Sequence, residues 1–581
     1  MSINLSQISS NQKYSNENND NNILSPSNFC KLFKSQNLIK LEYLISTIIS
    51  IYSLTYYSMN MGYISHNLIK AGKFEFDSLN KKNAYLSSYR DYSDPQWKFF
   101  REKYFSNMIL LIILIPFGRI VKTQSIDVYK IFMIIFGIFF SFYLFQLRFI
   151  YILLSSIIFY NLKNVQNFEV MNQKLFLGLN YITMIIVKFI FDYFKNNKDI
   201  NELGIFKKFP KIDNISWNYI FVLSLLKMIS YNIEYRNSSL DIYEINNNFI
   251  DNNTKAREHC SKCAVGDFCF TCLENIKLDK NNDFTFTNYI CYIFYPHLIF
   301  SGPIINYNSF IFQINLSTNE SEFKFATVPK ILYLLKYILL FLVMEFYNHF
   351  IYSICIFKNI DSPINYLSLF YYCFSIFHIL IFIHIKWSII WKTGRLLSLY
   401  DGVITQENCS NIFLNITSVG QFFREWNTSI YRWLLRYLYI PLEGNKKRFC
   451  NIFIIFCFVY VISDINKWNY FVFFISSGIV INAEIFIREK FVQIFGSDFN
   501  KYACLRYLKY LINCMSLFAL ICICLVEYGL NVNRILFEIK EYGGVFYFVK
   551  IILFILPIVI MNCFVSDITK VKKNEYKRLY F

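Results

Sequence analysis

The sequence predicts an all-α polytopic membrane protein, and three observations carry that expectation. The chain of 581 residues is 55% hydrophobic and 20% aromatic, with a mean hydropathy of +0.33. Apolar runs recur along its whole length at about the 20 residues that a bilayer's hydrocarbon core asks of a helix. Only 10 prolines and 17 glycines interrupt them, so few residues oppose long helices.

Residues 1–38, Asn/Ser-rich and polar, hold too little apolar surface to offset the entropy of ordering and predict a disordered tail. They lack the basic start and apolar run of a cleavable signal peptide, so the first span, 39–61, is expected to act as the anchor signal. A membrane-embedded domain follows over 39–568. Its further spans are placed at 105–121, 128–145, 147–162, 174–194, 216–232, 289–306, 330–354, 364–385, 449–463, 468–487, 505–527 and 544–566. Those at 289–306 and 468–487 are open to both a re-entrant and a spanning reading, which leaves about 10 to 12 full crossings. A basic tail, 569–581, ends the chain.

The formal charge is +18. Lys and Arg gather in connectors and at span ends, where anionic headgroups and the positive-inside bias explain them, and nucleic-acid binding is excluded on that ground.

The polar loop 233–288 holds "HCSKCAVGDFCFTC", in which Cys260, Cys263, Cys269 and Cys272 form two CxxC pairs beside His259. Each pair can grip one tetrahedral zinc ion, and in an oxidising compartment the same thiols would form disulfides. A structural zinc and a disulfide staple stay open as equals.

Ionisable side chains inside apolar runs are costly and mark cavities. Lys227, Asn232 and Glu234 punctuate "LLKMISYNIEYR". His297 stands in "YPHLIFSGP", next to helix-breaking residues, His378 and His384 in "FHILIFIHIKW", and Glu484 in "GIVINAEIFI".

The densest such region is "QFFREWNTSIYRWLLRYLYIPLEG", within the segment 401–444. At helical spacing Phe423, Asn427 and Tyr431 share one face, Arg432 and Arg436 another, and Trp426 and Trp433 a third. Arginine with aromatic surface suits the membrane interface, or an anionic amphiphile such as a fatty acyl-CoA.

This run resembles the signature region of the membrane-bound O-acyltransferases, in the branch of the glycerol uptake protein and Hedgehog acyltransferase. Four further blocks resemble that branch in order: "DYSDPQWKFFREKY" (91–104), "WNYIFVLSLLKMISYNIEYR" (217–236), "DFTFTNYICYIFYPHLIFSGPIINYNSF" (283–310) and "WSIIWKTGRLLSLYDGVITQEN" (387–408). The resemblance implies a helical bundle around a tunnel in which acyl-CoA, as co-substrate, meets a lipid or glycerol-type acceptor. For the glycerol-uptake type it implies a lyso-glycosylphosphatidylinositol acceptor and the endoplasmic reticulum. It also implies that Asn427 acts with a histidine on a later span, while Arg424, Arg432, Arg436, Trp426, Trp433 and Asp401 hold substrate or wall the site.

That histidine is absent. The six histidines, His66, His259, His297, His349, His378 and His384, all precede the signature, and the vacant position falls between Ser476 and Ile481. Glu484, His297 and His384 are therefore the candidate bases. A catalytically inactive lipid-binding member and a small-solute transporter are the other readings. For Glu484, an ion pair with Arg488 one helical turn on is the structural alternative.

Overall fold

The computed structural model describes residues 36–70, 79–80, 90–91, 93–145, 148–163, 173–196, 214–239, 273–316, 327–352, 354–355, 369–409, 416–463, 467–495, 503–527 and 555–561. The helices are α1 (Gln36–Lys70), α2 (Ser106–Gln124), α3 (Ile126–Phe145), α4 (Phe149–Leu162), α5 (Gln173–Asn196) and α6 (Asn214–Ser239), followed by short α7 (Phe286–Phe294), α8 (Pro296–Ile299) and α9 (Tyr307–Asn315). Then come α10 (Thr327–Phe350), α11 (Leu369–Asp401), α12 (Val419–Trp426), α13 (Thr428–Leu434), α14 (Arg448–Ser463), α15 (Trp468–Phe495) and α16 (Ala503–Glu527). Strand pairing among the described residues is a two-residue antiparallel ladder, Leu79 opposite Asp91 and Asn80 opposite Arg90. The disordered tail expected over 1–38 falls almost wholly outside the described residues, as do the basic tail and the whole Cys260–Cys272 cluster.

Five described helical stretches are long and apolar enough to cross a membrane: Ile126–Phe145, Lys174–Tyr193, Lys330–Phe350, Trp468–Ile494 and Leu505–Cys524. Of the two readings of segment 468–487 the spanning one holds: it is part of one continuous helix to Phe495, with no proline or glycine-proline break along it. Segment 289–306 is broken as its proline and Ser-Gly-Pro run require. There α7 ends at Tyr295, Pro296 opens α8, and residues 301–306 run without helix to α9.

The apolar residues sort by position. On α10, Ile331, Leu335, Leu339 and Leu342 are exposed, as are Ile109, Ile135 and Phe139 on α2 and α3, a surface that only a lipid environment satisfies. In α6 every residue from Ile220 to Glu234 is buried, which is the signature of a helix enclosed on all sides. α11 is also largely enclosed, and its Gly394 lets the Ser-Gly-Pro break cross it closely. A Cβ on Gly394 would lie 2.6 Å from the Gly302 Cα.

The block 91–104 docks beneath α11. Asp94 caps a short helix by accepting from the Trp97 N–H at 2.6 Å, and its other carboxylate oxygen takes Lys386 Nζ at 2.8 Å. Arg90 pairs with Glu345 of α10, and Asp91 accepts from the Cys355 N–H at 3.0 Å. These polar groups are buried or half-buried, and each makes at least one of these pairings, as interior polar groups do.

Candidate functional site

The signature run does not form the single helix that its spacing suggests. The helix breaks at Asn427, which has φ −132° and ψ 80° and is at once the last cap of α12 and the first cap of α13. The reason is local chemistry. Asparagine competes with the backbone for hydrogen bonds, and here Asn427 Oδ1 accepts from the Ile430 N–H at 3.1 Å and from the Ser429 hydroxyl at 3.0 Å. Ser418 caps α12 the same way, accepting from the Gln421 N–H at 3.1 Å. The face shared by Phe423, Asn427 and Tyr431 is therefore split between two helices.

Three other segments converge on the break. Asn408 Oδ1 accepts from the Ser429 N–H at 2.8 Å. The Ser429 hydroxyl accepts from the Ile304 N–H at 3.1 Å, tying α13 to the Ser-Gly-Pro break. From α6, the Tyr219 hydroxyl lies beside the Asn427 side chain and accepts from Trp391 Nε1 at 2.8 Å. Trp426 lies in an aromatic nest with ring centroids 5.1 Å from Phe422, 5.9 Å from Trp391 and 5.5 Å from His384. The structure thus gathers Asn427, Trp426 and His384 and adds Tyr219, Trp391, Asn408 and Ser429. Sequence reading missed these four; their signal was membership of the resembling blocks 217–236 and 387–408 and of the signature itself.

The other site candidates fall elsewhere. Glu484, on α15, accepts from the Val419 N–H at 2.7 Å, from the Gly420 N–H at 3.0 Å and from the Ser516 hydroxyl of α16. It is a carboxylate sewn into the first turn of α12, where a helix offers unpaired N–H groups and favours negative charge. The alternative partner Arg488 makes no ion pair with it among the described residues. His297 and Asp401, both fully buried, lie side by side with Nε2 and Oδ2 3.7 Å apart. Tyr129 donates to Asp401 at 2.6 Å, and Tyr295 donates to the same oxygen. That centre occupies the far end of α11, about 15 Å along the helix from Trp391 at 1.5 Å per residue.

The arginines divide. Arg432 pairs with Glu274 at 2.6 Å and Arg436 with the buried Glu234 at 2.8 Å. Arg424 alone of the three is exposed, with no carboxylate within 4 Å among the described residues. Trp433 donates through Nε1 to the Leu226 carbonyl at 3.1 Å, pinning α13 to α6. At the end of the signature, Lys174 donates to Glu443 at 3.1 Å, and that bond holds the exposed carboxyl below its ordinary range.

Between Ser476 and Ile481, where the histidine is missing, Ser477 is fully buried and donates to the Phe473 carbonyl at 2.6 Å. Ser476 donates to the same carbonyl at 3.1 Å. The Phe473 ring sits 5.9 Å from Phe423 of α12, so this stretch of α15 faces the signature although it carries no imidazole. Among the described residues, no three His, Cys, Asp or Glu side chains group to hold a metal ion.

Residues 270–527 match the model of the MBOAT, membrane-bound O-acyltransferase family. The chain carries a membrane-bound O-acyltransferase domain. It is 30% identical over 392 residues to the membrane-bound O-acyltransferase gup1 of Schizosaccharomyces pombe, covering 66% of this chain and 64% of that relative. It is 27% identical over 385 residues to membrane-bound O-acyltransferase GUP1 of Saccharomyces cerevisiae, covering 65% of each. It is also 24% identical over 449 residues to GUP2 of the same yeast, covering 72% of this chain and 70% of the relative. The chain thus spans slightly under two thirds of the first two relatives. The domain is multi-pass and helical, and the break at Asn427 falls inside the matched region.

Proposed function

We propose that this chain transfers a fatty acyl group from acyl-CoA to the hydroxyl of a lysolipid, a lyso-glycosylphosphatidylinositol or a related acceptor, in the membrane of the endoplasmic reticulum. The observation that carries the reading is the buried break at Asn427, where α6, α11 and the Ser-Gly-Pro segment bring polar groups to one point beside an aromatic nest. The acyltransferase names of the relatives support the reaction class. An alcohol is a weak nucleophile, so a base must take its proton as its oxygen attacks the thioester carbonyl. The carbon–sulfur bond then breaks, and coenzyme A leaves as the thiol. His384, beside Trp426, is the base that the geometry favours, since Glu484 is bound into a helix cap and His297 belongs to the Asp401 centre. Asn427 and Tyr219 orient the reacting groups. Trp426 and Trp391 flank the acyl chain, and Arg424 receives phosphate oxygens of the coenzyme.

The test is transfer from a labelled long-chain acyl-CoA into lysolipid by membranes expressing the wild type, Asn427→Ala, Asn427→Asp or His384→Gln. Loss in Asn427→Ala and His384→Gln at equal protein levels is expected. Asn427→Asp, which keeps the cap acceptor, reports whether the loss is one of folding. No transfer from any acyl-CoA and lysolipid offered would overturn the proposal.

A second reading, a catalytically inactive lipid-binding member, is favoured by one observation: no histidine stands between Ser476 and Ile481, where the resemblance places one, and both hydroxyls of that stretch are spent on the Phe473 carbonyl. It predicts lysolipid binding without turnover. Glycerol flux into sealed vesicles that follows expression and survives Asn427→Ala would point instead to transport.

A further inference from the structure

Lys227 sits at the middle of α6, 3% exposed, in the stretch where every neighbour along the helix is buried. Among the described residues no carboxylate lies within 4 Å of its ammonium; its nearest recorded partner is the face of the Tyr292 ring, with the centroid 5.7 Å from Nζ. Glu234, two turns on, is fully committed. It accepts from Arg436 Nε at 2.8 Å, from the Tyr437 hydroxyl at 2.7 Å and from Asn308 Nδ2 at 2.9 Å. The Ser230 hydroxyl is spent on Tyr437 at 2.9 Å. The other buried lysines described on membrane helices are matched, Lys188 by Asp192 at 2.6 Å, Lys386 by Asp94 at 2.8 Å and Lys130 by Asp127 at 3.6 Å. An intramembrane cation without a counter-ion costs several kcal/mol, so such residues mark ligand sites.

Its place in the fold says which ligand. Tyr292, under the ammonium, donates to the Ile305 carbonyl at 2.6 Å. The adjoining Ile304 N–H donates to Ser429, which in turn donates to Asn427. On the same helix Tyr219, beside Asn427, precedes Lys227 by eight residues, about 12 Å at 1.5 Å per residue. The long lysine stem shortens that gap.

We propose that Lys227 binds the phosphodiester of the acyl acceptor, so that this site selects a phosphate-bearing lysolipid over an uncharged glycerolipid. The inference rests on the acyltransferase reading of the Asn427 site. In a glycerol-based lysolipid a short run of bonds separates the free hydroxyl from the phosphate, and the lysine stem, tilted toward the helix N-terminus, carries the ammonium toward Tyr219 and the Asn427 break. The phosphates of acyl-CoA stand a whole pantetheine arm from the thioester and belong with the exposed Arg424.

The experiment uses the full chain in nanodiscs, as wild type, Lys227→Met, Lys227→Gln and Lys227→Arg. Transfer from one acyl-CoA is measured into lysophosphatidylinositol and into a monoacylglycerol of the same chain length. The wild type is expected to favour the phospholipid at least about tenfold in kcat/KM, a difference of about 1.4 kcal/mol. Lys227→Met and Lys227→Gln should bring the ratio toward one through a higher KM, and Lys227→Arg should restore it. Binding is read separately, as crosslinking of a photoactivatable lysophosphatidylinositol competed by lysophosphatidylinositol, by monoacylglycerol or by inorganic phosphate. Phospholipid-selective competition that vanishes in Lys227→Met, with no transfer into either lipid, would sink the acyltransferase reading and keep the anion site. Equal use and equal competition by both lipids, or variants indistinguishable from the wild type, would overturn the inference and leave acyl transfer standing. Competition by inorganic phosphate as effective as by the lipid would also overturn it, by making the ligand a free anion.

Discussion

Glu484→Ala and Glu484→Gln separate a catalytic carboxylate from a structural one. The Glu484 side chain receives two N–H groups from the first turn of α12 and a hydroxyl from α16, and Val419, which supplies one of these donors, is fully buried. Hydrogen bonds to a charged group contribute about 1.5 to 3 kcal/mol each, and a buried donor left unpaired costs about 1 to 3 kcal/mol. Because the three share one acceptor group, their sum is sub-additive, and Glu484→Ala is expected to cost about 3 to 5 kcal/mol. The glutamine amide keeps one acceptor oxygen, so Glu484→Gln should cost about 1 to 2 kcal/mol. The assay pairs thermal unfolding in detergent, followed by intrinsic fluorescence or thiol labelling, with acyl transfer per mole of folded protein. The cap reading expects unfolding temperatures in the order wild type, Gln, Ala, and transfer by Glu484→Gln close to wild type once corrected for folded protein. Unchanged unfolding of Glu484→Gln together with abolished transfer would refute it and return Glu484 to the chemistry.

Three further outcomes are expected. Gly394→Ala drives a methyl to 2.6 Å from the Gly302 Cα and 2.8 Å from its nitrogen; since both are backbone, the cost should reach about 3 kcal/mol, seen as a lower unfolding temperature. Lys386→Ala strips Asp94 of the partner that binds block 91–104 to α11, and breaking a buried pair should destabilise by about 3 to 5 kcal/mol; limited proteolysis would cut first near residue 94. Asp401→Ala leaves the Tyr129 and Tyr295 hydroxyls without their acceptor and should cost about 1 to 3 kcal/mol per hydroxyl, yet transfer per folded molecule should persist because this centre stands apart from Asn427. Loss of transfer with unchanged unfolding would join the two centres.

The packing of the helices separates three polar regions. Around Asn427 the groups are joined by hydrogen bonds between Asn408, Ser429 and the Ser-Gly-Pro segment. At Asp401 two tyrosines and His297 surround one carboxylate. On α6 and α13, Glu234 with Arg436 and Tyr437 forms an ion-paired knot. A charged residue inside a membrane protein therefore marks either a site or a fully matched structural centre, and only its partners tell which.

By itself the sequence determined the class and much of the register of the helices. Apolar length does this, because a bilayer admits a helix of nearly fixed extent; the starts of α3, α5, α15 and α16 fall within a few residues of the apolar runs. It also determined the break near Pro296, where the missing N–H forbids a continuous helix. The Asn427 region was legible as important from its residue types, since arginine, asparagine and tryptophan are costly between apolar spans. The tertiary structure decided how those residues are used. Helical spacing could not show that the Asn427 amide would be drawn to Ile430 and Ser429 and split the helix, because that outcome depends on Asn408, Tyr219 and Ile304 arriving from distant segments. Nor could spacing reveal that Glu484 would meet the N–H groups of Val419 and Gly420 rather than Arg488. A local pair one turn away is visible in sequence, whereas a helix end 64 residues distant enters only when the chain packs.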